Sequence, residues 1–181
     1  MKKFLLLRIT SFAIVVLLLL LTSCRTADDE IDEPDLGLQE EQLTADEQNN
    51  IFGEIIYVPV YSSIFYSDKK RTIELAATLS IHNTDLEKPI RITKVDYFNL
   101  KGRLIRKFLD STVELKPLET TNFVIEEKDK SGGTGANFIV HWVADGEVST
   151  PIVEAIMIST MSAQGISFTT TGKVIKRIGS Q

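Results

Sequence analysis

From residue 51 onward, apolar and polar residues alternate with a period of two, the pattern of β-strands rather than of helices. Residues 72–82 show the alternation best, because Leu75, Leu79 and Ile81 fall on one face and polar side chains fall mostly on the other. Such a segment is typical of an antiparallel strand that buries one face and leaves the other in water.

Similar segments follow at intervals of about ten to fifteen residues, separated by turn signals such as Asn83–Asp85 and Asn99–Gly102. Pro59 indicates that the first strand lies at a sheet edge, because proline cannot donate a hydrogen bond to a neighbouring strand. We expect the last strand to pair back across Gly172. The further predicted strands span residues 54–62, 90–98, 103–109, 120–127, 136–145, 152–161, 166–171 and 174–178.

Seven or eight short strands with turns between them predict an all-β fold. An immunoglobulin-like antiparallel β-sandwich is the favoured arrangement, and a jelly roll is the alternative. Its two sheets would close over one apolar core. The predicted core residues are Leu75, Leu79, Phe123, Phe138, Val140, Trp142, Ile156 and Ile158.

The first residues have a different pattern. Lys2, Lys3 and Arg8 precede an unbroken apolar run at residues 12–21. As a helix this run would measure about 15 Å, half of the roughly 30 Å of a bilayer core. The segment therefore predicts a secretory signal helix rather than a membrane-spanning one.

Residues 21–24, Leu-Thr-Ser-Cys, resemble the lipobox of bacterial lipoproteins. The resemblance implies cleavage between Ser23 and Cys24, and acyl chains such as palmitate on Cys24, the only cysteine. Arg25 resembles the residue of lipoproteins sorted to the outer membrane, so we expect a lipid-anchored protein of the cell envelope. A plain secretory signal and an uncleaved anchor helix are the alternatives, and the side of the membrane is left open.

Charge divides the rest of the chain. Residues 25–50 contain ten acidic residues and one basic residue, a net charge of −9, whereas residues 51–181 are near neutral. So acidic a segment cannot bury enough apolar surface to fold by itself. We predict a signal peptide at residues 1–23, a lipidated cysteine and disordered tether at 24–50, and the β-sandwich at 51–181. The sequence has no stripe of basic residues, so we do not expect it to bind nucleic acid.

Four segments of the domain, residues 57–62, 77–85, 132–140 and 164–168, together resemble the bacterial family known as domain of unknown function 3124. The resemblance covers about residues 53–172. It implies an envelope protein, often a lipoprotein, with no established activity. It offers no catalytic residue to carry over to this chain.

A glycine-rich loop is one candidate binding site. It contains Gly132, Gly133, Gly135 and Asn137 and runs directly into a predicted strand. Phosphate-binding glycine loops need a following helix and usually a lysine, and neither is present here. A tight connection that needs positive φ angles is therefore the main interpretation, and a ligand-binding loop is the alternative.

A group of aromatic residues is the other candidate. Tyr57, Tyr61 and Tyr66, with Phe65 beside the last, could form a contact surface, because aromatic side chains bury much area at little entropic cost. Packing of these side chains in the core is the main interpretation, and the contact surface is the alternative. Residues 69–71, Lys-Lys-Arg, form a basic turn that we expect to be solvated; contact with an anionic headgroup or a polysaccharide is the alternative.

No set of residues for catalysis or for a cofactor is recognisable. The only two histidines, His82 and His141, are too few for a zinc site without acidic partners close by. We therefore expect a non-catalytic binding or structural module that binds another envelope component, such as a protein or a glycan. A carbohydrate- or small-ligand-binding lipoprotein and, less favoured, a hydrolase are the alternatives.

Overall fold

A computed structural model describes residues 51–160 and 165–179. The predicted signal peptide and tether, including Ser23 and Cys24, lie outside the described residues. Every regular element described, apart from one 3₁₀ turn at Gly133–Gly135, is a β-strand. The strands are β1 (Ile51–Val60), β2 (Ser63–Tyr66), β3 (Asp68–Glu74), β4 (Ala76–His82), β5 (Ile90–Phe98), β6 (Leu104–Lys107), β7 (Val113–Leu115), β8 (Thr120–Ile125), β9 (Ala136–Asp145), β10 (Ile152–Ser159), β11 (Ile166–Thr171) and β12 (Lys173–Ile178).

These strands form two main antiparallel sheets and a small hairpin. The first sheet has the order β12-β1-β9-β5-β6, with β7 paired to the start of β5. The second sheet has the order β11-β10-β4-β8, and β2 pairs only with β3 among the described strands. The chain crosses repeatedly from one sheet to the other, as in a sandwich. The predicted all-β, antiparallel fold is confirmed.

The core contains side chains from the facing sides of both sheets. On β9, Phe138, Val140 and Trp142 are fully buried, as the alternation in the sequence predicted. Leu79 and Ile81 of β4 approach from the second sheet and belong to the same buried cluster. The buried face of these two strands was therefore predicted correctly, because each has a single apolar face and only one register buries it.

Strand β10 departs from the prediction. Ile156 and Ile158, expected in the core, point outward and are 37% and 46% exposed. The inward residues are Val153, Ala155 and Met157, which are 3%, 0% and 0% exposed. Both faces of this strand are apolar, so the alternation did not distinguish them, and the choice of the larger side chains was wrong.

The prediction that Pro59 marks an edge strand is also wrong for most of β1. β1 lies between β9 and β12, but its pairing with β12 ends at Tyr57. Pro59 therefore lies where the β12 side is open, and its carbonyl accepts a hydrogen bond from the Thr170 hydroxyl instead. Proline is tolerated there because no ladder donor is needed on that side.

Two further strand predictions are corrected. The predicted strand 72–82 is divided at Leu75, so that β3 belongs to the hairpin and β4 to the second sheet. β12 does not pair back on β11 across Gly172, since it joins β1 in the other sheet. Gly172 has no room for a side chain, because Ile56 and Val153 occupy that space as the chain passes between the sheets.

The course of β1 defines two ends of the domain. Ile51 begins β1, and the β2–β3 hairpin begins three residues after its last residue, Val60. Ten strand residues span about 33 Å. The hairpin therefore starts at the end of β1 opposite to Ile51, and we call this the hairpin end.

Candidate functional site

The β2–β3 hairpin is the most distinctive surface feature at the hairpin end. Its strands pair from Ser63 opposite Glu74 to Tyr66 opposite Asp68, and Ser67 forms the tip with a φ of 64°. The Asp68 carboxylate accepts a hydrogen bond from the backbone N–H of Lys70 at 2.8 Å, at the start of β3 next to the tip. The pairing register shifts between Phe65 and Tyr66, so the hairpin is irregular close to its tip.

Two aromatic side chains lie beside this tip. Phe65 is 53% exposed and Tyr66 is 45% exposed. Large aromatic rings in water lose the burial that normally stabilises them, and their exposure is typical of contact surfaces. Of the three tyrosines that the sequence singled out, Tyr66 is the one that belongs to this tip.

Basic residues follow immediately on β3. Lys69, Lys70 and Arg71 are all exposed, and the only acidic residue among them, Asp68, lies 3.4 Å from Arg71. Residues 68–71 therefore keep a net charge of +2 next to the two rings. We call Phe65, Tyr66 and residues 69–71 the aromatic–basic hairpin.

The base of the hairpin is fixed to the sandwich. Ser62 is 1% exposed, and both its backbone N–H and its hydroxyl donate to the Gly133 carbonyl at 3.2 Å. The Leu75 N–H donates to the Ser62 carbonyl, and Lys130 forms an ion pair with Glu74. The structure therefore brings together two regions that the sequence considered separately, the glycine loop and the aromatic segment.

Packing explains why glycine occurs in this loop. A Cβ at Gly132 would lie 1.8 Å from the Tyr97 hydroxyl, and one at Gly133 would lie 2.7 Å from the Leu100 side chain. Gly133 also has a φ of +73°, which glycine adopts without strain. The Leu100 N–H donates to the Gly132 carbonyl at 3.1 Å. These contacts favour the tight-connection interpretation, and ligand binding by the loop stays a prediction.

The two other loop residues have less restricted surroundings. Gly135 ends the 3₁₀ turn, and a Cβ there would be 3.6 Å from Leu100, an ordinary contact distance. Asn137 is the second residue of β9, half-buried, and pairs with Pro59 on one side and Phe98 on the other. Asn137 therefore belongs to the first sheet rather than to the loop.

Two ionisable groups near the loop have shifted pKa values. Burial raises the pKa of the Tyr97 phenol, although the neighbouring Ser62 hydroxyl opposes the shift. Burial would raise the pKa of Asp129, but hydrogen bonds from Ser131 and the charge of Arg106 outweigh it and lower the pKa. The Arg106 guanidinium lies 2.9 Å from the Asp129 carboxylate and fixes the segment that leads into the glycine loop.

The other two predicted aromatics lie in different surroundings. Tyr57 is 36% exposed in the middle of the first sheet, where it pairs with Ile139. Tyr61 packs against the core, with its ring centroid 6.0 Å from that of Phe168. A single surface of three tyrosines is not formed, because Tyr61 packs inward and only Tyr66 reaches the hairpin tip.

The two histidines are on different sheets. His82 belongs to β4 of the second sheet and lies 3.8 Å from Glu154, whereas His141 belongs to β9 of the first sheet. Burial, with the charges of Lys94 and Lys176, lowers the pKa of His141 to about 4. Within residues 51–160 and 165–179, no group of three or more possible metal ligands is present.

Sequence reasoning missed one more surface. The outward side of β10 exposes Ile152, Ile156 and Ile158, of which Ile152 is 50% exposed. The signal was available in the segment IVEAIMIS, which has apolar residues on both faces although the sheet covers only one. We call the outward side of the second sheet the isoleucine face.

The comparison with protein families decides the relationship of this chain. A model of the family described as "Protein of unknown function (DUF3124)" matches residues 53–175. The chain belongs to this family. The predicted resemblance is confirmed, and the match includes the aromatic–basic hairpin and the glycine loop. Both surfaces of this DUF3124 protein therefore lie within the family domain.

Other comparisons add little to this DUF3124 assignment. No curated protein matches the chain. One solved structure, titled "Crystal Structure of Thermotoga maritima 1070", aligns with 66% of this chain and 92% of its own at 12% identity and a TM-score of 0.40. A similarity of that degree carries no argument about function. Across the described residues, no helix is long and apolar enough to span a bilayer.

Proposed function

We propose that this protein is a lipid-anchored, non-catalytic module of the bacterial envelope that binds another envelope protein through the aromatic–basic hairpin. The observation that carries the proposal is the exposure of Phe65 and Tyr66 next to residues 69–71. Aromatic and arginine side chains are enriched in protein interfaces, where they supply most of the binding energy. The net positive charge favours a partner with an acidic surface.

The lipid anchor is proposed from the lipobox-like residues 21–24, and the outer membrane from Arg25. Two or three acyl chains would hold the protein at the bilayer, since each buried methylene contributes about 0.8 kcal/mol. Residues 25–50 would then act as a tether that enters the domain at Ile51. Such attachment leaves the hairpin end, about 33 Å away along β1, available for a partner.

The test is recovery of a partner from the envelope of the native host. We expect full-length protein, cross-linked in cells and purified in mild detergent, to retain one specific envelope protein. The double variant Phe65→Ser/Tyr66→Ser should lose at least tenfold of that partner, because both exposed rings are removed. Ile175→Ser is the matched control, since Ile175 is 56% exposed but lies on β12, away from the hairpin.

Two results would contradict the proposal. One is that no specific protein is recovered with the unmodified chain. The other is that the hairpin variant and the control recover the same amount of partner. Circular dichroism of each purified variant separates loss of binding from loss of folding.

Binding of a carbohydrate is the second candidate. It is favoured by the exposed ring of Tyr66, which offers a flat apolar face and a hydroxyl beside residues 69–71. We expect a glycan ligand to raise the melting temperature of the unmodified protein and not that of Tyr66→Ser. Unchanged melting of the folded protein with every glycan tested would rule this candidate out.

A further inference from the structure

The isoleucine face differs in composition from the rest of the surface. Its four strands direct outward serine, threonine, asparagine and aliphatic side chains, and no lysine or arginine. The only ionisable side chains on it are His82 and Glu154, which lie 3.8 Å apart. Charged residues are depleted in the same way at the centres of protein interfaces.

The outward side of the first sheet provides the contrast within the same domain. Arg91 and Asp145 form an ion pair there at 2.6 Å, and Lys94 lies 3.5 Å from Asp96. That side carries charged side chains of both signs, although Ile55, Asp96 and Phe98 on the same side are at most 9% exposed. The lack of charge on the isoleucine face is therefore specific to the second sheet.

The strand register determines where large and small side chains lie on the isoleucine face. Ile152, Ile156 and Ile158 form a ridge along β10, with Glu154 between the first two. The adjacent strand β4 places Thr78 opposite Ile156 and Ala76 opposite Ile158. Large side chains of β10 thus run alongside a trough of small side chains of β4, which ends at His82 opposite Ile152.

We propose that a second copy of this chain covers the isoleucine face. A two-fold axis parallel to the strands, between β4 and β10, would place each isoleucine ridge in the trough of the other copy. Ile156 would then face Thr78, and Ile158 would face Ala76, in both directions at once. An interface of this kind is self-complementary, as two-fold symmetry requires.

Electrostatics favours the same occupant. Stacking two copies brings no lysine or arginine together, and each Glu154 would lie opposite Ser80 of the other copy with His82 of its own copy 3.8 Å away. A strongly charged partner would find only Glu154 and His82 as ionisable groups on this face. A second copy offers a face that is equally poor in charge, so it covers these side chains without burying a lysine or an arginine.

The size of the face predicts a weak dimer. Four strands of about seven residues cover roughly 19 Å by 23 Å, or about 450 Å² per copy. Stable interfaces bury about 800 Å² per partner, and weak ones less than about 600 Å². The dimer should therefore form and dissociate with concentration, and a covalent trap is the suitable way to detect it.

The experiment places a photo-cross-linking residue, p-benzoylphenylalanine, in the full-length protein in its bacterial host. Thr169 and Asn122 are suitable positions, because both are exposed and flank the ridge and trough on β11 and β8. A second, differently tagged copy is expressed in the same cells. We expect irradiation at either position to give an adduct of twice the chain mass that carries both tags, whereas the probe at Ile175 gives none.

Ile156→Lys should reduce this adduct at least tenfold, because the ridge would then carry an unpaired charge into the trough. Ile175→Lys, a matched change of an exposed isoleucine on β12, should leave it unchanged. If Ile156→Lys fails to fold, Thr78→Arg, which fills the trough, takes its place. The proposal is overturned if no two-tag adduct forms, if the adducts contain only another protein, or if the substitutions on the isoleucine face change nothing.

Discussion

At the scale of single residues, His141 illustrates how the first sheet controls protonation. The imidazole lies on the outward side of β9. Lys94 of β5 pairs with His141 on one side, and on the other side Lys176 of β12 pairs with Ile55, the partner of His141 on β1. Partial burial and these two cations disfavour the charged ring, which lowers its pKa to about 4. The same ring in the unfolded chain has a pKa of about 6.5.

The free energy of unfolding should therefore depend on pH between these two values. Above about pH 6.5 the ring is neutral in both states and the full stability is present. As the pH falls toward 4, the unfolded chain binds a proton that the folded chain does not, so stability is lost. We expect about 1–2 kcal/mol of loss, after allowance for the part of the ring that stays in water.

Urea denaturation at about pH 7 and about pH 4.5 measures this effect. In His141→Gln, the free energy of unfolding should fall by about 1–2 kcal/mol less between these two pH values than in the unmodified protein. Lys176→Met should reduce the fall by a smaller amount, because one of the two cations remains. An equal fall in stability for the unmodified protein and for His141→Gln would show that other groups cause the loss of stability at low pH.

At the scale of elements, β5, β9 and β11 were predicted with correct bounds. Each has polar or half-exposed residues on one side, so the alternation identifies the buried face. β10 was predicted at nearly the correct position, but its buried face was assigned wrongly because both of its sides are apolar. β2 and β7 were missed because strands of four and three residues are too short for a period to be recognised.

The partners of strands were harder to predict than the strands themselves. Nothing in the local sequence shows that β12 leaves β11 for β1, since pairing across sheets depends on how the whole chain packs. The candidate site was affected in the same way. Tyr66 and residues 69–71 were recognised from composition, but their connection to the glycine loop through Ser62 depends on residues 71 positions apart.

Gly132 allows the packing interpretation of the glycine loop to be tested. Gly132→Ala should destabilise the domain by about 1–3 kcal/mol, because the added methyl group overlaps the Tyr97 hydroxyl and Ala136. Tyr97→Phe removes that hydroxyl. The double variant should therefore be more stable than the sum of the two single changes, by about 1 kcal/mol, in urea denaturation.

Gly135→Ala is the control within the same loop. A Cβ at Gly135 would be 3.6 Å from Leu100, so we expect a change of less than about 0.5 kcal/mol. If Gly132→Ala and Gly135→Ala have equal effects, and Tyr97→Phe does not interact with the former, packing does not explain Gly132. The ligand-binding interpretation of the loop would then become the stronger one.

At the scale of the whole molecule, the sequence separates two kinds of information. Under the proposed function, the leader, Cys24 and the acidic residues 25–50 would determine where the protein is held. The domain would determine what it contacts, and its fold follows from apolar patterning. A hairpin with exposed rings and a face with exposed isoleucines are departures from that patterning, and such departures are expected where a surface is used for binding.

The anchor is the property on which the proposed location depends, and Cys24 tests it directly. The thiol is the only one in the chain and the nucleophile that would accept the lipid. Cys24→Ser should therefore reduce incorporation of radiolabelled palmitate to background and leave the uncleaved precursor, because the lipobox resemblance implies that lipidation precedes cleavage. Thr22→Ala, which keeps a small residue before the cleavage site, should be labelled and processed normally. Labelling of Cys24→Ser, or an unmodified sulfur in the mass spectrum of the mature natural protein, would remove the membrane attachment, whereas the hairpin and the isoleucine face would still require their own tests.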